Sequence, residues 1–306
     1  LIVSHQLSWL EAGVIGAVQG ATELFPVSSL GHSVLIPAVI GGSWAQDLDV
    51  RAPESPYLAF IVGLHVATAI ALIIFFWRDW LRIAKGLGTS IARRQVVTTD
   101  QRLAWLLVLA TIPVGIVGLL AEHAFRTILS RPVPTACFLM VNGLILLWIE
   151  HSRRDSAVNT EYVDERITGP ASDRRLATLP VTHAVQVGTA QILALAPGIS
   201  RSGVTTSGGM TRGLTREDAA RFSFLLATPV ILAAGVLKLG DLAGPLGDGI
   251  RAQVLFGSLM SGLAAYLSVR FLTRYLAGRS LRPFGVYCIA AGAFCLAWFA
   301  LRSATG

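Results

Sequence analysis

"QGATELFPVSSLGH", residues 19 to 32, breaks an apolar run that extends from Trp9 to Ile40. Pro, Gly and Ser interrupt it at "FPVSSLG", and each half is too short for a bilayer core about 30 Å thick, which takes roughly 20 helical residues. A second run, Val181 to about Met210, is split in the same way at "APGISRSG". Irregular backbone at membrane depth survives only where protein or a wet cavity satisfies its polar groups. Both stretches therefore read as re-entrant helix-loop-helix hairpins whose loops line a site.

The whole composition supports that setting. With 53% hydrophobic and only 14% charged residues among 306, the chain is too apolar for an ordinary soluble domain. Cys137, Cys288 and Cys295 lie in apolar runs without metal or disulfide spacing. The net charge of +7 fits basic cytoplasmic loops and gives no reason to expect nucleic-acid binding. No basic segment precedes the first apolar run, so no signal peptide is expected. Six further stretches have spanning length: Tyr57–Trp77, Leu103–Ala121, Val133–Ile149, Arg221–Ala243, Ala252–Leu272 and Phe284–Leu301.

The two broken stretches align without a gap. "QGATELFPVSSLG" over "QILALAPGISRSG" pairs Gln19 with Gln191, Val27 with Ile199, Ser28 with Ser200 and Gly31 with Gly203. Each hairpin precedes three spanning candidates, which makes two repeats offset by roughly 170 residues. Loop charge orients them. Placing the segments after Trp77, after Ile149, around Arg212–Arg221 and from Arg270 to Pro283 in the cytoplasm collects 18 of the 25 Lys and Arg. Arg51, Arg126, Arg131, Arg251 and Arg302 remain outside. The first hairpin then enters from outside and the second from the cytoplasm, so the repeats are inverted and their loops can meet near the midplane. The expected fold is an all-α polytopic membrane protein of two inverted repeats, each a re-entrant hairpin plus three transmembrane helices. Residues 1–150 form the first repeat, 151–180 a polar cytoplasmic linker, and 181–306 the second repeat.

Arg201 is expected inside the second loop, where an arginine at the membrane centre costs about 2.5–3.5 kcal/mol on insertion scales. Gly198, Ser200, Ser202, Gly203 and Thr205 surround it. A guanidinium fork, hydroxyls and backbone N–H groups at a helix start suit a phosphate; the alternative is a snorkelling or Glu23-paired structural arginine. Gln19 and Glu23, four residues apart, share a helix face before Pro26. Glu23 could hold a divalent cation or manage protons, or the pair could simply cap the loop. His32 lies three or four residues beyond Ser28 and Ser29, within plausible reach of a hydroxyl. His65, within a spanning run, reads as a packing or hydrogen-bonding residue. G-x-x-x-x-G-K-[ST], H-E-x-x-H and G-x-S-x-G are absent from the sequence. The Ser-Arg followed by His of acid-phosphatase-like lipid phosphatases cannot be completed, since no His follows His183.

Together "QGATELFPVSSLGH" and "QILALAPGISRSGVTTSGG" resemble the undecaprenyl-diphosphatase family, the bacitracin-resistance phosphatases of bacterial membranes. That family carries (E/Q)-x-x-x-E running into P-V-S-S-x-G-H, and P-G-x-S-R-S-G-x-T. The resemblance implies removal of the terminal phosphate of undecaprenyl diphosphate with a divalent cation, Mg²⁺ or Ca²⁺, by a homodimer. It implies a role in peptidoglycan synthesis, cell shape and bacitracin resistance. A plasma-membrane location is expected, and the entry of the first hairpin from outside leaves the site open towards the extracytoplasmic side. The residues the resemblance implies are Gln19, Glu23, Ser28, Ser29, His32, Ser200, Arg201, Ser202 and Thr205. Gln19 replaces an acid often found there and Leu30 a common Thr, which leaves Glu23 as the sole obvious carboxylate for metal or proton work.

The expected reaction is phosphoryl transfer at the loop junction, where Arg201, the Gly198–Gly203 backbone and a cation on Glu23 neutralise the diphosphate. Ser28 or Ser29 attacking with His32 as base is preferred, over attack by His32 itself or by an oriented water. The rival reading is a polyprenyl-phosphate transporter or flippase, for which broken helices in inverted repeats are equally suited.

Overall fold

The computed structural model describes residues 7–49, 56–124, 129–152, 170–243 and 249–305. Within them the chain is helical, without strands. Helix α1 (Trp9–Leu24) and α2 (Ser29–Ile40) form the first hairpin, followed by a short α3 (Ser43–Asp47). At 1.5 Å per residue, their 16 and 12 residues reach only about 24 and 18 Å, less than a bilayer core. The second broken stretch is α9 (Val181–Ala190), a 3₁₀ turn at Gln191–Leu195, and α10 (Arg201–Thr211).

The six spanning stretches appear as α4 (Pro56–Phe75), α6 (Thr99–Ala124), α7 (Pro132–Ser152), α11 (Arg216–Ala243), α12 (Arg251–Tyr275) and α13 (Arg282–Thr305). Five of them are individually long and apolar enough to cross a membrane, and Phe60–Phe75 qualifies with its bent continuation. The protein is thus a multi-pass membrane protein. That continuation departs from expectation. The segment after Trp77 is no loop but helix α5 (Trp77–Arg93), bent 89° from α4. Asp79, Ile83, Gly86 and Ser90 make its buried stripe, while Trp77, Leu81 and Ile91 stay exposed. A Cβ at Gly86 would fall within 3 Å of the Asp100 backbone, so glycine lets α5 lie directly on the start of α6.

The halves interlock. α1 packs along α12, and α9 packs along α6, so each hairpin leans on a spanning helix from a different part of the chain. Gly16 sits against the Gly257 backbone and Gly188 against Ala110, in both cases with no room for a Cβ. Gly16 and Gly188 have the same sequence offset as Gln19 and Gln191.

Of the expected linker, residues 153–169 lie outside the described residues. Its end forms α8 (Pro170–Ala177), which is docked rather than free. Asp173 is buried and binds Arg221 at 2.5 Å and Arg82 at 2.6 Å. Ser172 and Arg175 both donate to Asp218, at 2.6 Å each.

Candidate active site

The chain leaves α1 at Phe25, whose extended backbone leads into Pro26. Ser28 then adopts φ 68°, ψ 98°, a conformation rare for a residue with a Cβ, and caps α2 by accepting from Gly31 N at 3.2 Å. In the second loop Ser200 caps α10 by accepting from Gly203 N at 3.1 Å. The aligned pairs Ser28/Gly31 and Ser200/Gly203 therefore make the same cap. Two helix N-termini, each with a positive dipole end, face the loop junction.

The loops touch. Gly198 N donates to Ser28 Oγ at 3.1 Å, and Ser202 Oγ donates to Phe25 O at 3.1 Å. Asn142 on α7 bridges them, its Nδ2 donating to Pro26 O at 2.9 Å and its Oδ1 accepting from Ser200 N at 2.9 Å. Gly198 has φ 106°, and a Cβ there would strike the Thr135 carbonyl.

Glu23 is the hub. Its Oε1 accepts from Arg201 Nη2 at 2.8 Å; its Oε2 accepts from Gln19 Nε2 at 2.9 Å and from the Ser29 hydroxyl. Arg201 also donates through Nη1 to Ala227 O at 3.1 Å. His65 stands 3.5 Å from Glu23, with Nδ1 on Ile61 O at 2.8 Å and Nε2 on Gln19 Nε2 at 3.2 Å. With the Nδ1 proton on that carbonyl, Nε2 accepts from Gln19. His32 turns elsewhere. Its Nδ1 meets Ser28 O at 2.7 Å and its Nε2 the Tyr287 hydroxyl at 2.8 Å, so its ring nitrogens engage neither serine hydroxyl.

Glu23, Ser28, Ser29, Ser200 and Arg201 border one cavity of about 180 Å³, together with His65 and Gln191. Val114, Leu195, Val230 and Ile231 form its apolar side. Gln19 stands behind Glu23, while His32, Gly198, Ser202, Gly203 and Thr205 support the wall: Thr205 Oγ1 donates to Arg201 O at 2.7 Å. Among the described residues no three His, Cys, Asp or Glu converge. The site holds a hydroxyl against a carboxylate, beside a guanidinium, at two helix starts. Such a set is suited to a phosphoryl group and to deprotonating a nucleophile beside it.

The family described as bacitracin resistance protein BacA matches residues 12–294. The chain belongs to this family. It is 59% identical over 305 residues to an undecaprenyl-diphosphatase of Mycolicibacterium paratuberculosis, covering 98% of this chain and 100% of that protein. Undecaprenyl-diphosphatase 1 of Frankia casuarinae is 52% identical over 366 residues, covering 96% and 99%. Undecaprenyl-diphosphatase 2 of Burkholderia orbicola is 43% identical over 289 residues, covering 94% and 96%.

Three residues at this junction were not singled out as site residues from the sequence. Asn142 is a single amide inside a spanning run, and only its buried position between the loops gives it meaning. His65 read as packing because nothing in the sequence places α4 beside α1. Gln191 had a signal, its alignment with Gln19.

Proposed function

We propose that the protein hydrolyses the terminal phosphate of undecaprenyl diphosphate in the bacterial plasma membrane. The product, undecaprenyl phosphate, is the carrier reused in cell-wall synthesis, and its regeneration opposes bacitracin. One observation carries the chemistry: the Ser29 hydroxyl is held on Glu23 while Arg201 grips the same carboxylate at the cavity wall. Ser28 is the poorer nucleophile, because its oxygen already accepts from Gly31 N and Gly198 N. Ser29 therefore attacks, and Glu23 rather than His32 takes its proton. Arg201 and the N-termini of α2 and α10 stabilise the charge that develops on phosphorus oxygens. The apolar side of the cavity accepts the first isoprene units.

A divalent cation, Mg²⁺ or Ca²⁺, fits an oxygen set of this kind. Glu23 offers a carboxylate, and the buried Gln19 Oε1 has no hydrogen-bond partner among the described residues. These two residues would hold the cation, which would supply positive charge to offset that of the diphosphate. Two inverted repeats, 1–150 and 181–306, a homodimer, and a site open to the extracytoplasmic side belong to the same proposal. The matched caps and the crossed packing of α1 on α12 and α9 on α6 support the repeats.

A carrier or flippase is the second reading, favoured by two broken stretches that meet at one cavity. Phosphate release by detergent-purified protein separates the two, with and without chelator. Wild-type protein should release phosphate in the presence of cation, and Ser29→Ala should release none. A pure carrier binds lipid and releases nothing.

A further inference from the structure

Gln191 is 1% exposed and borders the same cavity as Ser29 and Arg201. Its Nε2 donates to Gly188 O at 3.3 Å, while its Oε1 has no partner among the described residues. The amide cannot be reversed at no cost, because that would set two acceptor oxygens against each other at Gly188. A buried acceptor beside a cavity calls for a hydrogen-bond donor. Phosphate oxygens do not supply one; water does. The residue aligned with it in sequence, Gln19, has both amide hydrogens occupied by Glu23 and His65, so the two glutamines are used differently.

We propose that Gln191 positions the hydrolytic water, its Oε1 accepting a hydrogen bond from the molecule that attacks phosphorylated Ser29. This assignment deepens the phosphatase reading and rests on Ser29 as nucleophile. In the first step the Ser29 Oγ–P bond forms and the bridging P–O bond breaks. The electron pair leaves with undecaprenyl phosphate and the Ser29 proton passes to Glu23. In the second step water oxygen bonds to the same phosphorus as the Oγ–P bond breaks. Glu23 returns its proton to Ser29 Oγ, one water proton goes to solvent, and inorganic phosphate departs. Gln is suited to the second step, as an amide oxygen orients water without itself titrating.

The test is rapid-quench kinetics on the full chain in detergent, with undecaprenyl diphosphate and saturating Mg²⁺. Gln191→Met keeps the side chain's length and removes the acceptor. It should form undecaprenyl phosphate in a burst equal to the enzyme present, then turn over about tenfold or more slowly, as expected when only the second step is impaired. Phosphate should accumulate on Ser29, visible by peptide mass spectrometry. Gln191→Leu serves in its place if Met lowers the unfolding midpoint. Normal steady-state turnover overturns the assignment. Loss of burst and steady state together also overturns it, since Gln191 would then act in the first step or hold the cation. Ser29→Ala reads the underlying mechanism separately: persistent turnover in that variant removes Ser29 as nucleophile, whatever Gln191 does.

Discussion

Arg201 satisfies Glu23 and a backbone carbonyl at once, Nη2 on the carboxylate and Nη1 on Ala227 O. Only a planar fork fixes both while leaving N–H groups for a ligand. Arg201→Lys keeps the charge but becomes a point donor. Phosphate release should fall about 100-fold, the usual cost of removing one donor to developing charge, with expression unchanged. Near-normal release would remove Arg201 from the phosphate site. Glu23→Gln is the reciprocal case: the Ser29 proton loses its acceptor and Arg201 its counter-charge. Turnover should be abolished, and so should any response to added Mg²⁺ or Ca²⁺; a variant that still needed cation as before would place the ion elsewhere. At this scale the sequence was readable where polarity was out of place. Glu23, Ser29 and Arg201 stood out because each is costly at apolar depth. The direction of the His32 ring was not readable, since Ser28 O and Tyr287 compete for it with no trace in local spacing.

Helices were legible to within a few residues wherever apolar length decided them, and the Pro-Gly-Ser breaks located the interruptions of both short stretches. Two features were not. Helix α5 is too charged to look like a span, and its polar stripe makes sense only once α6 and α8 supply partners. The second is the cluster that fastens α8, where Arg221 is fully buried over the Phe76 ring and meets Asp173 at 2.5 Å and Asp79 at 3.3 Å. Its members come from α5, α8 and α11, so no local pattern announces them. Because removing one partner strands buried charge, Asp173→Asn should destabilise by about 3–5 kcal/mol. The thermal unfolding midpoint in detergent should drop, while phosphate release at low temperature persists, since none of these residues borders the cavity. An unchanged midpoint would mean that the cluster does not hold α8 in place.

Across the molecule, residues some 170 positions apart meet at one cavity because the two broken stretches approach each other, and this explains an acid and hydroxyls in one apolar stretch; the imidazole of that stretch, His32, is instead held by Ser28 O and Tyr287. The two ends of the fold are fastened by different residues. Arg302 packs at Gly41, where α2 and α13 finish, while Glu150, Arg216 and Leu281 join at the opposite face through Glu150 Oε1 and Leu281 N at 2.8 Å. In the proposed orientation the second face is the cytoplasmic one, as loop charge suggests. Leu30 and Ile199 both border the cavity, one from each loop. Cysteines at these two positions, with Cys137, Cys288 and Cys295 replaced, should crosslink through a short reagent, and undecaprenyl diphosphate should protect them. If the first hairpin enters from outside, a membrane-impermeant thiol reagent should reach the Leu30 cysteine from the extracytoplasmic side of intact cells. The crosslink follows from the loop contact alone, whereas the side of labelling follows from orientation. Labelling only from the cytoplasm would reverse the protein in the membrane and leave the junction intact; no crosslink at any reagent length would separate the loops and undo the shared site.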